Sequence, residues 1–451
     1  MNNRLTITGG TTTIGNNAIT TATATTNHAK AATAGRERPR RLLLCLDGVP
    51  HEMIRRARGR GLFANFGEPS RLLSPFPTMT NVALSTMWGA SAPLGYESLY
   101  FDRKRQELRG GVRKYIGRRT PDKVPSSYMD DLDYQEPLPF EFLVYVAPDA
   151  VWRADMRRFR ERFRRAAPDR DFFAFLKGTD GLLHIRGPKH LDVALESLDA
   201  ILRDIQRWCG AETEIVLFSD HGMNLEENRR IHLQTHLRAH GFAIKDRLPR
   251  GDTHSVAAPA FGLCGYAAIY CADETDPAEV AGTVAMLEGV DLSLYRDGVR
   301  SVVVHTATRG AARIHRVQNA HARFRYESIN GGDPLRLAPA IGALAAAGEL
   351  DAEGYATDAA WFAQTAGHDY PDALANLYQS LHAPRVRHTA DVLISCADNY
   401  YYGADMFGRF VRLAATHGNA LRASTNAFLM STARDFPAHV RADEARPWLR
   451  D

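Results

Sequence analysis

What this chain lacks already narrows its class. No apolar stretch approaches the roughly 20 residues that span a bilayer, although 45% of its 451 residues are hydrophobic, enough for a large buried core. Its five cysteines are an odd number, and Cys45, Cys264, Cys271 and Cys396 sit in apolar, strand-like runs. That predicts reduced, buried thiols and a cytoplasmic protein over a disulfide framework. Lysine is scarce, the basic side is almost all arginine, and the net charge is only +4; no nucleic-acid partner is expected from so small a balance. The first 38 or so residues are Thr/Ala/Gly-rich and have little to bury, which predicts a disordered low-complexity tail over 1–38. They lack the charged start and continuous apolar core of a secretory signal.

What is present begins at Ile215–Met223, IVLFSDHGM. Its four consecutive apolar residues, Ile215 to Phe218, suit a strand buried on both faces of a parallel sheet. In open α/β sheets ligands gather beyond the carboxyl ends of such strands. There the chain delivers Asp220 and His221 together, and Gly222 is expected to let it turn away. An adjacent carboxylate and imidazole suit a hard-to-borderline divalent metal. Three other segments repeat the theme. RLLLCLDG ends in Asp47 and Gly48; DFFAFLKGTDGLLH gives Asp180 and, four residues on, His184; ATHGNALRASTNAFLMS places His417 ahead of an apolar strand. A metal site scattered this widely is built by a fold, unlike the local Cys/His clusters of zinc fingers.

Between the first two lies SPFPTMTNVALSTMWGASAP. Pro77 disfavours helix before it, and NVALSTMWGA reads as a short buried helix ending near Gly89. Thr80 then falls at the helix start, where unpaired N–H groups and the dipole favour an anion. By itself Thr80 reads as a helix cap, a common role for threonine; beside a metal-ligand set it becomes a candidate nucleophile. Thr78 is the competing hydroxyl.

LCLDG, FPTMTN with GASAPLGYES, TDGLLH, LFSDHGM and THG, in that order over residues 40 to 431, resemble the alkaline phosphatase superfamily, and within it the type I phosphodiesterase/nucleotide pyrophosphatase family. The resemblance implies a three-layer α/β sandwich with a mostly parallel central sheet. It further implies two divalent ions, zinc being expected, some 4 Å apart as in two-metal phosphoryl-transfer sites. Asp180, His184 and His417 would hold one; Asp47, Asp220, His221 and the Thr80 oxygen would hold the other. The implied activity is hydrolysis of phosphodiesters or nucleotide pyrophosphates. Thr80 would attack phosphorus as an alkoxide held by the second metal and form a phospho-threonine. The first metal would stabilise the departing oxygen and then activate the water that hydrolyses this intermediate. Phosphonate or phosphomonoester hydrolysis are neighbouring activities, and a non-catalytic ligand-binding relative is the contrasting class. A sulfatase is not expected, since no Cys-x-Pro-x-Arg motif occurs. The family's usual Asn residues, three and some twenty positions after the nucleophile, are missing: Asn81 follows Thr80 directly and GYESLYFDRK holds none.

Elsewhere strand-like and helix-like runs alternate, which predicts a parallel or mixed sheet with helices on both faces. Residues 39–451 are expected to form the catalytic domain, with a smaller cap inserted within 240–410 whose strands include GYAAIYCA and VRSVVVHTAT. Residues 189–208 should form a helix burying Leu191, Ala194, Leu195, Leu198, Ile201, Leu202 and Ile205. The arginine-dense 151–170 reads as an amphipathic helix burying Trp152, Met156, Phe159 and Phe163. His232, His236 and His240 read as a solvated helix face; His254 and His368 are alternatives to His417. Asp102, Arg103 and Lys104 are near enough to GYES to be candidates for a phosphate contact. A small phosphorylated substrate is the expected partner.

Overall fold

The computed structural model describes residues 41–111, 124–144, 146–167, 169–210, 213–318, 320–383, 385–404 and 412–450. By compactness the chain divides into Met1–Arg38 and Pro39–Asp451. The tail expected over 1–38 lies outside the described residues, all of which belong to the second unit.

Buried aliphatic runs build a seven-stranded sheet in the order His439–Arg441, Ser70–Leu73, Asn426–Ser431, Ile215–Phe218, Leu42–Leu46, Phe172–Leu176, Tyr134–Gln135. The strands run in one direction except Asn426–Ser431, which is antiparallel to both its neighbours. Every residue of the central Leu42–Leu46 strand is buried, as a strand covered on both faces requires. Its side chains alternate between two cores. Leu42, Leu44 and Leu46 meet Met53, Ile54, Trp152, Met156, Leu195 and Leu198, whereas Leu43 and Cys45 meet Ala83, Met87, Trp88, Phe173 and Phe218.

The helices follow their apolar stripes. Pro148–Arg164 buries Val151, Trp152, Asp155, Met156, Phe159 and Phe163, so the arginine-dense run is the wet side of an amphipathic helix. Pro188–Cys209 buries Leu191, Ala194, Leu195, Leu198, Leu202 and Ile205. Ile201 is only half-buried. The buried Asp199 on the same helix accepts a hydrogen bond from the Phe63 N–H at 2.9 Å.

Between His221 and His417 the chain builds a second sheet of nine strands, in the order Ala356–Thr357, Ala322–Ile329, Ala311–Gln318, Ser301–His305, Val290–Arg296, Val392–Cys396, Tyr266–Cys271, Ser255–Ala257, Ala243–Ile244. Its pairings are antiparallel apart from that of Ser255–Ala257 with the edge strand Ala243–Ile244, which is parallel. Helices Ala373–His382 and Pro277–Ala285 supply side chains to two further cores, one containing Leu374 and Leu377 and the other Val280 and Val284. The expected strands in GYAAIYCA and VRSVVVHTAT are Tyr266–Cys271 and Ser301–His305. The architecture is a mixed α/β fold. The five cysteines are free and all but Cys209 are buried; no helix among the described residues is long and apolar enough to cross a membrane.

Helix Thr80–Trp88 is short, and almost all of it faces protein. Val82, Ala83, Leu84, Ser85, Met87 and Trp88 are buried, and Gly89 ends it in the left-handed conformation at φ 58°. Its anchor is Trp88, 2% exposed, stacked on Phe173 with ring centroids 4.0 Å apart and planes 11° apart. Trp88→Ala should cost about 3–5 kcal/mol, as loss of a fully packed aromatic does. Urea denaturation followed by circular dichroism measures it, and a loss below about 1 kcal/mol would show that the helix is held elsewhere.

Candidate metal centre

The sheet's direction pattern gathers the predicted residues at one edge. Asp47 leaves the carboxyl end of Leu42–Leu46, and Asp220 and His221 that of Ile215–Phe218. Phe172–Leu176 runs into helix Gly178–Arg186, where Asp180 and His184 lie one turn apart on one face. Ser70–Leu73 leads to Thr80, the first residue of its helix. Because Asn426–Ser431 runs the other way, its amino end, and the His417 segment before it, meets the same edge.

Two groups result. Ligand-type atoms of Asp180, His184 and His417 all lie within 4.8 Å of one another, and so do those of Asp47, Asp220 and His221. All six residues are buried. The His221 and His417 rings stack with centroids 3.9 Å apart, joining one group to the other.

Each imidazole is oriented by a peptide carbonyl: His184 Nδ1 by Ala415 at 2.8 Å, His417 Nδ1 by Thr78 at 2.8 Å, His221 Nδ1 by Gly222 at 2.9 Å. A carbonyl oxygen only accepts, so each ring donates from Nδ1 and, when neutral, turns an Nε2 lone pair inward. Carboxylate oxygens face those lone pairs. His184 Nε2 is 3.2 Å and His417 Nε2 3.6 Å from Asp180 Oδ1; His221 Nε2 is 3.3 Å from Asp220 Oδ2 and 3.5 Å from Asp47 Oδ1. Asp47 Oδ2, Asp180 Oδ1 and Asp220 Oδ2 are buried without a hydrogen-bond partner, a costly state for a carboxylate. Acceptors facing acceptors fit a cation, and the mixed carboxylate–imidazole donors suit a divalent one.

The proton affinities carry the same message. Burial, then the charges of Asp220 and Asp180, pushes the Asp47 carboxyl well above its ordinary range. Burial raises Asp220 to about 6. It also lowers His221 to about 4 and, with the neighbouring His221, lowers His417 to about 3. Asp180 goes the opposite way: burial opposes ionisation, but His184 and His417 hold it below the carboxylate range. Against its own burial, His184 is correspondingly raised by Asp180.

Thr80 belongs to this cluster by position. Its Oγ1 donates toward Asp47 Oδ1 at 3.3 Å and stands 3.3 Å from His221 Nε2. It is not the cap: Met79 occupies that position with no side-chain capping bond. Thr78 is fully buried and committed elsewhere, its hydroxyl donating to the Asn419 carbonyl at 3.2 Å and accepting the Gly418 N–H at 2.8 Å.

Two glycines let the parts approach. A Cβ at Gly48, whose φ is +69°, would lie 3.0 Å from Asp180 Oδ1 and 3.4 Å from His221 Cε1; its N–H donates to Asp220 Oδ1 at 3.1 Å. Gly222 was expected to turn the chain. It has no left-handed φ, and its requirement is space: a Cβ there would sit 2.3 Å from the Ala423 carbonyl oxygen.

The alternative residues lie apart. His254 is exposed, and His368 accepts the Tyr370 N–H at 3.1 Å; neither joins either group. His232 and His240 are exposed, while His236 Nε2 meets the Thr283 carbonyl at 2.9 Å. Arg103 is taken by Asp391 at 2.6 Å and lies over Tyr270, and Asp102 accepts from the Lys104 and Arg105 N–H groups. The chain's own supports for His417 had no expectation attached. Asn224 and Thr416 exchange hydrogen bonds at 2.8 and 3.0 Å, and Asn224 pairs with Asn228. Two asparagines spaced by four after DHGM were the available signal.

A family model described as type I phosphodiesterase / nucleotide pyrophosphatase matches residues 88–328, just over half the chain. The match includes Asp180, His184, Asp220 and His221; Asp47, Thr80 and His417 lie outside it and reach the same place through the fold. No curated protein matches the sequence. Among solved structures, phosphonoacetate hydrolase from Sinorhizobium meliloti 1021 in complex with phosphonoformate is similar at 12% identity and a TM-score of 0.50, over 91% of this chain and 95% of that one. Its complex with phosphonoacetate is similar at 14% identity with the same TM-score and coverage. Murine ectonucleotide pyrophosphatase/phosphodiesterase 5 is similar at 10% identity and a TM-score of 0.47, over 91% and 94% of the two chains. At such identities the likeness is one of fold. The chain belongs to the type I phosphodiesterase/nucleotide pyrophosphatase family of the alkaline phosphatase superfamily.

Proposed function

We propose that this protein is a metal-dependent hydrolase of phosphoric diesters or nucleotide pyrophosphates that works through a phospho-threonine on Thr80. The observation that carries the reading is the convergence of Thr80 Oγ1 with six buried ligand-type residues in two groups. On this reading Pro39–Asp451 is the catalytic domain, the two-faced sheet is the centre of a three-layer sandwich, and the second sheet is a cap over the substrate. The buried thiols fit a cytoplasmic enzyme.

Asp180, His184 and His417 would hold one divalent ion, and Asp47, Asp220 and His221 with the Thr80 oxygen the other, zinc being the expected metal. When bound, the pair supplies Lewis acidity toward phosphoryl oxygens and lowers the pKa of hydroxyls and water. The protein's part is positional. Asp47 and His221 hold the Thr80 hydroxyl at one point, so the nucleophile is fixed before substrate arrives. The uncapped first turn of helix Thr80–Trp88 turns backbone N–H groups and the positive dipole end toward an equatorial phosphoryl oxygen. Attack by Thr80 Oγ1 would form the new P–O bond as one ester oxygen departs in line and takes up the proton, leaving Thr80 esterified to the remaining phosphomonoester, and water would then cleave the Thr80–phosphorus linkage to release that monoester. Asp220, tied to the Gly48 N–H, and His417, tied to Thr78, keep the site from relaxing between steps.

Metal analysis tests the ligand assignment. Wild type should bind about two equivalents of zinc, the number of such two-metal sites. His184→Ala should lower this to about one, because the Asp47, Asp220 and His221 group stays intact. Absence of bound metal would favour a non-catalytic, ligand-binding relative.

Hydrolysis of p-nitrophenyl diesters, monoesters and phosphonates tests the chemistry. Turnover should vanish with chelator and return with zinc, and Thr80→Ala should lower kcat by about 10³-fold or more, as loss of a nucleophile does. Full activity in Thr80→Ala would pass the attack to a metal-bound hydroxide. A preference for phosphonates would favour the activity named for the similar Sinorhizobium meliloti structure.

A further inference from the structure

Between strand Ser70–Leu73 and helix Thr80–Trp88 the chain crosses residues 74–79 without regular structure. Such a loop has no ladder to satisfy its peptide groups, so other partners must. Thr78 is tied at one end, its N–H donating to the Gly418 carbonyl at 3.3 Å and its carbonyl accepting from His417 Nδ1 at 2.8 Å. The other end is tied to helix Ala373–His382 and the loop that follows it. The Asn376 side chain takes Phe76 and Ser74 together: Oδ1 accepts the Phe76 N–H at 2.7 Å, and Nδ2 donates to the Ser74 carbonyl at 3.3 Å. An N–H can only donate, so Phe76 fixes which way the Asn376 amide faces.

Arg385 completes the grip. Its Nη1 donates to the Phe76 carbonyl at 2.6 Å, to Asn376 Oδ1 at 2.9 Å and to the Asn376 carbonyl at 3.1 Å, and its Nη2 to Gln379 Oε1 at 3.0 Å. All four acceptors are neutral. Arg385 makes no salt bridge among the described residues, and burial pulls its pKa down to about 10 although Asp443 and Asp372 act against this from beyond ion-pair distance. A cation desolvated without a counter-ion is a poor source of stability. What a guanidinium offers here is its planar fork, which reaches the loop, the helix backbone and the Asn376 amide at once.

We infer that Arg385 and Asn376 are positioning residues for the nucleophile: together they fix Phe76, four residues ahead of Thr80, so that the Thr80 hydroxyl is held where Asp47 and His221 meet it. They act through the backbone of residues 76–79, which the Met79 N–H tightens by donating to the Pro77 carbonyl at 2.8 Å. This rests on the reading of Thr80 as nucleophile and deepens it. The place of the nucleophile is then set in part by a helix whose Leu374 and Leu377 belong to the same core as Leu292, Val302 and Ile314 of the second sheet.

Arg385→Lys keeps the charge and loses the fork, whereas Arg385→Met loses both. With bis(p-nitrophenyl) phosphate and zinc-loaded enzyme, each should lower kcat by about 10–100-fold, the effect of roughly 1 Å of misplacement, with KM within about threefold of wild type. Zinc content should stay at about two equivalents, since no ligand is changed. Asn376→Asp retains the acceptor shared by Phe76 and Arg385 and should keep more of kcat than Asn376→Leu. Wild-type kcat in both Arg385 variants, or a loss that follows zinc content or KM, would overturn the assignment. Should the Arg385 variants not fold, the Asn376 pair carries the test, and equal kcat in the two would overturn it. A crystal structure of Arg385→Lys reads the same positioning without turnover: Thr80 Oγ1 should leave its place 3.3 Å from Asp47 Oδ1, and an unmoved hydroxyl would overturn the assignment. Wild type without turnover, together with that displacement, would reject the hydrolase reading and keep the positioning role; equal turnover in wild type and both Arg385 variants would do the reverse.

Discussion

Three buried carboxylates share one edge of a sheet with three imidazole lone pairs, and this crowding of electron-rich atoms is the constraint on which the rest of the molecule depends. Burial alone disfavours their charged forms, raising Asp47 and Asp220 and lowering His221 and His417, and repulsion by like neighbours adds to it at Asp47 and His417. A fold does not place Asp47 Oδ2 and Asp220 Oδ2 out of reach of every donor for stability's sake. Such an arrangement makes sense when positive charge enters it, and the Nδ1-to-carbonyl bonds of all three histidines ensure that lone pairs face that charge.

The topology meets the constraint economically. Parallel strands deliver Asp47, Asp220 and His221 from their carboxyl ends, while the single reversed strand admits His417 from its amino end. Gly48 and Gly222 then permit approaches that a Cβ would crowd, one against the Asp180 carboxylate and one against backbone. Trp88 pins the helix whose first residue is Thr80 between the sheet and the C-terminal segment. Each of these features is ordinary for an α/β protein; together they fix a hydroxyl within 3.3 Å of both Asp47 and His221.

Much of this was legible in the sequence because buried strands advertise themselves. LLLCL and IVLF end in Asp47 and Asp220, so hydrophobic runs alone placed both carboxylates at a sheet edge. Asp180 and His184 were legible by spacing, since i and i+4 share a helix face. The choice between Thr78 and Thr80 was not. Their environments are set by contacts with Asn419, Gly418, Asp47 and His221, up to 341 residues away in sequence. Gly222 was legible as important but for the wrong reason, because a close backbone approach leaves no local trace. Glu97 gave no signal either, because its partners, the Gly262 N–H and the Tyr266 hydroxyl, lie 165 and 169 residues further along the chain.

The loop that carries His417 is held from outside the seven-stranded sheet. The Leu263–Tyr266 segment, where a small three-stranded sheet runs into the nine-stranded one, grips that loop: the Gly265 N–H donates to the His417 carbonyl at 2.6 Å, and Thr416 Oγ1 donates to the Leu263 carbonyl at 2.7 Å. From the adjoining region, Ser395 Oγ accepts the Ala420 N–H and Asp398 accepts from Asn419, each at 3.0 Å. Glu97 binds the same segment by accepting from the Gly262 N–H and the Tyr266 hydroxyl. One stretch of backbone thus serves both as the partner of Glu97 and as the support of the loop that carries His417. The His417 loop is therefore held from the Leu263–Tyr266 stretch on one side and from Ser395 and Asp398 on the other, so its position is set by contacts distant in sequence and not by the local THG motif.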